Sequence, residues 1–315
     1  MHSIFFVFSV LHKKLFLLDG LSLIYRAHFA FDKAAITTAH GVKTGAILGF
    51  VQTLVAVLQK EVPTHLVVAF DSKEKNFRHA LFPAYKSHRQ TQPEDISIAI
   101  SYIKNILDAF GIAVVECIGY EADDLLGTLA KKAASIGFTS YIMSTDKDLA
   151  QIVQDNIYLY KPGSNGQKEI VLGKKEILAQ WHITRPEQVC DILALQGDAS
   201  DFIPGIPSIG KKTAQKLIQT FDNLENLLKN SHQLTGKLKE KVIQYASQGI
   251  LSKQLATICT DVPITLDLEK CSYHGPNREK LEPLLTTLEF RQLKKRLLGL
   301  TTDLPIQKPP VNHLL

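Results

Sequence analysis

Three short apolar runs constrain this chain more than any other feature. Leu15-Phe16-Leu17-Leu18, Leu66-Val67-Val68-Ala69-Phe70 and Tyr141-Ile142-Met143 lack the polar alternation of a half-exposed strand. Continuous runs of this length suit strands buried on both faces, as in a parallel sheet. Helix-periodic segments separate them: Leu21 to Phe31, Thr44 to Glu61, Ile96 to Phe110, and the pattern Leu125, Leu126, Leu129, Ala130, Ala133. Pro63 stops the second of these, and Ala113-Val114-Val115 supplies a further short strand. Alternating strands and helices call for an α/β fold with a parallel sheet and right-handed crossovers. Each of the three runs delivers an aspartate at its end: Asp19, Asp71 and Asp146. Open parallel sheets bind ligands at the carboxyl edge of their strands, so three acids there form a constellation.

The stretch Gly119 to Asp148 enlarges it. It opens Gly-Tyr-Glu-Ala-Asp-Asp and closes Ser-Thr-Asp-Lys-Asp-Leu, which puts Glu121, Asp123, Asp124, Asp146 and Asp148 at the two ends of one helix–strand unit. Like charges a few Å apart cannot all stay ionised unless cations hold them. Taken alone, the stretch reads equally well as an acidic helix start offsetting the helix dipole, followed by an acidic turn. The strand-end aspartates shift the balance toward a cation site.

Composition bounds the rest. The chain has 315 residues, 45% apolar and 21% charged, which fits a globular protein with one large core and a smaller module. Thirty-six Lys and Arg against 31 Asp and Glu leave a net charge of +5. A basic surface around an acidic centre suits a polyanionic substrate that reacts at bound metal. Cys117, Cys190, Cys259 and Cys271 form no Cys-x-x-Cys pair, which argues against a zinc cluster or a disulfide framework and fits a reducing cytoplasm. Ile4 to Leu11 is apolar, but Lys13 and Lys14 follow it and no small-residue cleavage site appears. It is also shorter than the roughly 20 residues a bilayer requires. The start reads as an extension before the first strand, not a signal peptide.

Two further segments carry charge with a purpose. Lys73, Lys75, Arg78, Lys86 and Arg89 interleave with Phe77, Phe82 and Tyr85, a mixture suited to single-stranded nucleic acid. After Trp181 the chain turns to short helices. Gly197-Asp198-Ala199-Ser200-Asp201 adds two carboxylates, and Pro204 to Ala214 forms a Gly-rich turn opening a helix, a ready phosphate site. A nucleotide P-loop fails here, because Lys212 stands at the required Ser/Thr position and no strand precedes the turn. A helix–hairpin–helix that grips a DNA backbone fits better. Leu284 to Leu300 reads as one last amphipathic helix, and Asp303 to Leu315 as a proline-bearing linker or tail.

These motifs, in this order, resemble the flap endonuclease family of 5′ nucleases, in the branch formed by the 5′-3′ exonuclease domain of bacterial DNA polymerase I. The resemblance rests on Leu-Leu-Asp-Gly, Phe-Asp-Ser, Tyr-Lys-Ser-His-Arg, Gly-Tyr-Glu-Ala-Asp-Asp, Ser-Thr-Asp-Lys-Asp, Gly-Asp-Ala-Ser-Asp and Pro-Gly-Ile-Pro-Ser-Ile-Gly-Lys-Lys-Thr-Ala, and covers roughly Leu15 to Leu300. It implies a PIN-like parallel sheet flanked by helices, with an all-α helix–hairpin–helix module. The expected boundaries are an extension over 1–14, a catalytic domain over 15–186 with an arch near 73–95, a DNA-binding domain over 187–275, a C-terminal helix on the core over 276–300, and a tail over 301–315.

The resemblance further implies a Mg²⁺-dependent phosphodiesterase that removes nucleotides 5′ to 3′ and cuts 5′ flaps, with Mn²⁺ able to substitute. Asp19, Asp71, Glu121 and Asp123 would gather around one ion and Asp146, Asp148 and Asp201 around a second, with Asp124 and Asp198 contributing directly or through water. Tyr85, Lys86 and Arg89 would lie on the arch as catalytic groups, Lys86 and Arg89 facing the scissile phosphate. Tyr25 would stack on the terminal base with Arg26 beside it, and Arg78 would join the DNA contacts. Gly205, Ile206, Ser208, Ile209, Gly210, Lys211, Lys212 and Thr213 would form the hairpin on the duplex, with carbonyls able to take K⁺. The implied partners are DNA with a 5′ flap, nick or free 5′ end, RNA primer strands, and a polymerase domain in the same or a separate chain. A cytoplasmic monomer without membrane association is expected.

Two positions depart from the family pattern. Phe202 stands where Asn is usual, and is expected to weaken a hydrogen bond near the second metal. Ser208 stands where Gly is usual, and is expected to tighten the turn if a positive φ is needed there. The alternatives are an idle module that recognises nicks or flaps, and a PIN-like RNA nuclease.

Overall fold

The computed structural model describes residues 13–31, 34, 36–89, 91–163 and 168–299. The expected N-terminal extension, except for its last two residues, and the expected tail lie outside them. The sheet is built on β1 (Lys14–Asp19), whose alternate residues face opposite sides: Leu15 and Leu17 join one core, Phe16 and Leu18 the other. That double burial explains the unbroken apolar run. β1 leads directly into α1 (Gly20–Phe31), and α2 (Gly45–Glu61) follows. α2 ends as expected before Pro63, with Val62 in the left-handed region at φ +45°.

β2 (His65–Ala69) pairs parallel to β1. The basic–aromatic segment then begins with a short helix, α3 (Phe77–Leu81), which periodicity did not reveal. Asn76 caps it, accepting from the Arg78 and His79 amides at 3.0 and 3.3 Å. α4 (Glu94–Ala109), β3 (Ala113–Val115), α5 (Ala122–Ser135) and β4 (Thr139–Met143) complete the expected alternation. Two strands escaped the sequence reading, β5 (Ile157–Lys161) and β6 (Ile170–Leu172). The sheet order is β3-β2-β1-β4-β5-β6, parallel except for β6. β2, β1 and β4 are therefore central neighbours, and their carboxyl ends bring Asp71, Asp19 and Asp146 to one edge.

A helical module follows: α6 (Lys174–Trp181), α7 (Gln188–Gln196), α8 (Lys211–Phe221), α9 (Leu224–Lys229), α10 (Gly236–Gln244) and α11 (Ala246–Ala256). Its core is continuous with the α5 face of the sheet through Leu193, Leu195, Ile206 and Leu255. After α12 (Leu268–Cys271), the chain returns to the other face as α13 (Arg278–Thr287) and α14 (Arg291–Gly299). The single helix expected over Leu284 to Leu300 is thus broken. Glu289 turns the chain at φ +58°, which lets Leu285, Leu288, Phe290 and Leu293 all bury in the core shared with α4. Among the described residues, the four cysteines are free and no helix is long and apolar enough to cross a membrane.

Candidate metal centre

The carboxyl edge holds an acidic cavity of about 350 Å³, lined by Asp19, Asp71, Glu121, Asp123 and Asp146 together with Tyr25, Lys86, Arg89 and Lys147. Each acid is set by local chemistry. Asp19 accepts from the Ser22 amide at 3.0 Å and from the Ser144 hydroxyl at 2.7 Å, which ties β1 to the loop after β4. Asp71 accepts from the Ala122 amide at 2.8 Å, at the start of α5. Asp146 accepts from the Asp148 amide at 2.8 Å and Asp198 from the Ser200 amide at 2.8 Å, each a tight local turn of the kind short acids favour.

Burial and mutual repulsion push most of these groups up, whereas at Asp198 burial is outweighed by Lys147 and Ser200, which hold it below its ordinary range. Asp19 reaches about 7, chiefly through burial, with Asp71 and Asp146 adding to it against the hydrogen bonds from Ser22 and Ser144. Asp148 also reaches about 7, by burial and then by Asp146. Burial raises Asp71, Asp146 and Asp123, the last well above the carboxylate range, with Asp146 and Asp19 adding to Asp123. Asp123 Oδ1 is buried without a hydrogen-bond partner. Asp148 Oδ1 also lacks one, its nearest cation being Lys147 Nζ at 3.3 Å.

The arch supplies the opposite charge. Lys86 donates to Glu121 Oε1 at 2.6 Å, and Arg89 to Asp201 Oδ1 at 2.6 Å. Burial works against the charged form of Glu121, but Lys86 and Arg78 overcome it and hold the group below its ordinary range. Tyr85 is buried and donates to Glu121 at 3.0 Å and Asp201 at 3.3 Å, so it holds the acids together and does not face the cavity. The Lys86 amide donates to the Asp201 carbonyl at 3.0 Å, anchoring the arch to the helical module. Lys147, passed over in the sequence reading although it stands between two acids of one motif, pairs with Asp198 and Asp148.

Among the described residues, no three His, Cys, Asp or Glu side chains close to metal-ligand spacing. Several of the acids are instead paired with cations, Glu121 with Lys86, Asp201 with Arg89, Asp148 and Asp198 with Lys147, and Asp124 with Arg78. The donor set is nonetheless suited to a hard cation, being all carboxylate oxygen, with Asp123 Oδ1 unsatisfied.

Three expectations need correction. Asp124 is fully buried and its two oxygens are used by Arg78, the Cys259 amide and the Glu121 amide, so it has no lone pair turned toward a metal. Arg78 is buried against Asp124 and the Leu255 and Thr257 carbonyls, and is out of reach of DNA. Arg26 does not share the cavity of Tyr25. One position along α1 turns it by about 100°, and it lines a separate cavity of about 610 Å³ beside Pro162.

The hairpin before α8 is pinned from within. Ile206 and Ile209 are buried, and the Ile206 amide donates to the Leu195 carbonyl at 2.8 Å. At Gly205, φ +61°, an added Cβ would lie 2.3 Å from the Gly197 nitrogen, so no side chain fits. The Gly205 carbonyl accepts from Gln248 at 2.6 Å. Ser208 does adopt positive φ, +71°, and its hydroxyl meets Lys241. Lys211 lies over the Trp181 ring at 5.0 Å, while Gly210 and Lys212 are exposed at the helix start with Thr213 half-buried behind them.

Two family descriptions match: 5′-3′ exonuclease, N-terminal resolvase-like domain, over residues 14–182, and 5′-3′ exonuclease, C-terminal SAM fold, over residues 184–279. DNA polymerase I of Bacillus subtilis (strain 168) is 41% identical over 286 residues, covering 90% of this chain and 32% of that protein. The thermostable DNA polymerase I of Thermus aquaticus is 38% identical over 280 residues, covering 89% and 32%. The chain therefore spans about a third of the length of these curated relatives. The T5 D15 protein co-crystallised with metal ions superposes with a TM-score of 0.62 at 18% identity, covering 92% of this chain and all of that one. The catalytic core of Rad2 in complex with DNA substrate gives 0.61 at 15%, covering 95% and 93%. At such identities the two structures speak for the fold alone. With its sheet domain and helical module both matched in sequence, the chain belongs to the 5′-3′ exonuclease family, a family of hydrolases.

Proposed function

We propose that this chain is a Mg²⁺-dependent 5′-3′ exonuclease and 5′-flap endonuclease, acting on DNA with a flap, nick or free 5′ end and on RNA primer strands, in replication and repair. The observation that carries the reading is the acidic cavity at the sheet edge with Lys86 and Arg89 set against its acids. Asp19, Asp71, Glu121 and Asp123 would hold one ion, and Asp146, Asp148 and Asp201 a second, with Asp198 acting through water. When bound, the metal supplies an activated water and Lewis-acid stabilisation of an in-line displacement; Mn²⁺ is expected to substitute.

The chain's own residues do the rest. Lys86 and Arg89 exchange their carboxylate partners for phosphoryl oxygens, meeting charge where it builds up. Tyr85 keeps Glu121 and Asp201 oriented. Tyr25 offers its ring to the terminal base from the cavity wall. Gly205 to Thr213, with the exposed Lys211 and Lys212, holds the duplex backbone without reading bases. Hairpin carbonyls would take K⁺, although those of Gly205, Ile206 and Gly210 already accept from Gln248 and from the Ile209 and Ala214 amides. We place the protein in the bacterial cytoplasm as a monomer, working with a polymerase domain in the same or a separate chain.

Release of a 5′ label from a flap duplex tests this. Release in Mg²⁺ and none in EDTA supports the proposal. Binding without release would leave a flap- or nick-recognition module, and preference for plain single-stranded RNA would make it an RNA nuclease.

A further inference from the structure

We propose that Phe202 is a stacking platform for an unpaired nucleobase of the strand being cut; this rests on the reading of the site as a DNA nuclease. Phe202 sits in a tight turn closed by two hydrogen bonds between the backbones of Asp198 and Ile203, at 2.9 and 2.8 Å. Its φ is +59°, a region that bulky side chains adopt only at a cost. The residue is 48% exposed, so burial does not offset that cost. Strain and exposure together leave the folded state little reason to prefer phenylalanine here, which points to a ligand.

The surroundings say which ligand. The ring meets the exposed His88 ring on the arch, with centroids 5.4 Å apart and planes inclined by 40°. Beside them, Asp201 and Arg89 join the same two segments at 2.6 Å, with the Arg89 side chain half exposed. Lys86, Arg89 and Tyr25 line the adjoining acidic cavity. Exposed rings next to cations form the pairing that single strands need, with charge for phosphates and π-faces for bases. A base inside a duplex has both faces covered by its neighbours. The end pair of a duplex opens one face and an unpaired base opens both; beside the cations that single-strand phosphates need, the occupant is the unpaired base, in the 5′ segment at its junction. Asparagine, which tolerates positive φ, would relax the turn but remove the ring.

The test uses the full chain in EDTA with flap duplexes carrying 2-aminopurine in turn at each of the first few unpaired positions. Wild type should quench the fluorescence at one of them. Phe202→Asn should melt higher, lose the quench, and bind the flap substrate about fivefold more weakly or worse; Phe202→Trp should retain both. Placing an abasic site at the quenched position should erase the difference between wild type and Phe202→Asn. Unchanged quenching and affinity in Phe202→Asn would overturn the proposal. Equal losses on intact and abasic flaps would also overturn it, making Phe202 only a latch for the arch through His88. Wild type that cleaves flaps in Mg²⁺ without any quench sinks this inference and spares the enzyme reading; quenching without cleavage does the reverse.

Discussion

The guanidinium of Arg78 grips the carboxylate of Asp124 through two parallel hydrogen bonds, 2.8 and 2.7 Å long, with both residues shut away from solvent. Asp124 also accepts from the amides of Glu121 and Cys259, and Arg78 donates to the carbonyls of Leu255 and Thr257. One ion pair thereby ties together the base of the arch, the start of α5 and the segment after α11. Burial opposes the charge on Arg78, but Asp124 raises it far above its ordinary value, so it stays ionised. The clamp sets Glu121, the residue that opens α5 at the cavity wall.

Breaking that clamp should be costly. Asp124→Asn keeps the shape but leaves the buried guanidinium with only Glu121 Oε2, at 3.4 Å, to offset its charge, and should destabilise the fold by about 3–5 kcal/mol, as should Arg78→Ala, which strands Asp124. Urea unfolding measures this. Divalent-ion binding that survives in the folded fraction of Asp124→Asn would keep Asp124 out of the ligand set, and loss of binding at full stability would return it there.

Lys86 competes for the acids a metal needs. Lys86→Ala frees Glu121, and should tighten Mn²⁺ binding, measured by calorimetry, on the order of tenfold. The same variant should cleave far more slowly while holding flap DNA nearly as well. Weaker metal binding in Lys86→Ala would show that the arch organises the acids instead of masking them.

Stability of the metal-free protein should fall as pH rises. The ordinary carboxyl of Asp19 titrates at 3.8, the folded one at about 7, and Asp148 behaves alike. Between those values the folded state holds more protons than the unfolded chain, so the stabilisation present at pH 4 is lost by about pH 7. Urea midpoints in EDTA at pH 5 and pH 8 check the sign. Asp19→Asn should flatten the profile, and saturating Mg²⁺ should abolish it. A midpoint that rises with pH would refute the repulsion account.

Asp146→Ala should abolish cleavage and leave duplex binding intact or improved, because it removes one acid from a crowded anionic site. Filter binding and label release on the same preparation separate the two. A variant that fails to fold would make the residue structural.

Ser208→Gly should stabilise the chain by about 0.5–1 kcal/mol, the relief of a left-handed φ less the greater freedom of glycine in the unfolded state. Thermal melting reads it directly. A lower melting temperature would mean that the Ser208–Lys241 contact outweighs the strain.

Much of this protein is decided locally, and so was readable along the chain. The runs at β1 and β2 are apolar on both faces because the sheet is covered on both sides, and Asp19 and Asp71 stand at strand ends, so their edge follows from the parallel order. Weakly patterned elements escaped. β6 is the edge strand and exposes Ile170 and Val171, and β5 beside it is a five-residue run that ends in the exposed Lys161. The expected last helix is broken at Glu289 by packing against the distant α4, a constraint that periodicity does not carry. Side-chain fates were decided only in three dimensions. Asp123 and Asp124 are adjacent, yet a helix turns consecutive residues by about 100°, so one faces the cavity with an unsatisfied oxygen and the other faces Arg78. The same geometry parts Tyr25 from Arg26. Composition and motif could name the acids of the edge, but which are free to hold a cation and which are bound in the frame depends on what stands opposite each, and that is settled by residues tens to hundreds of positions away.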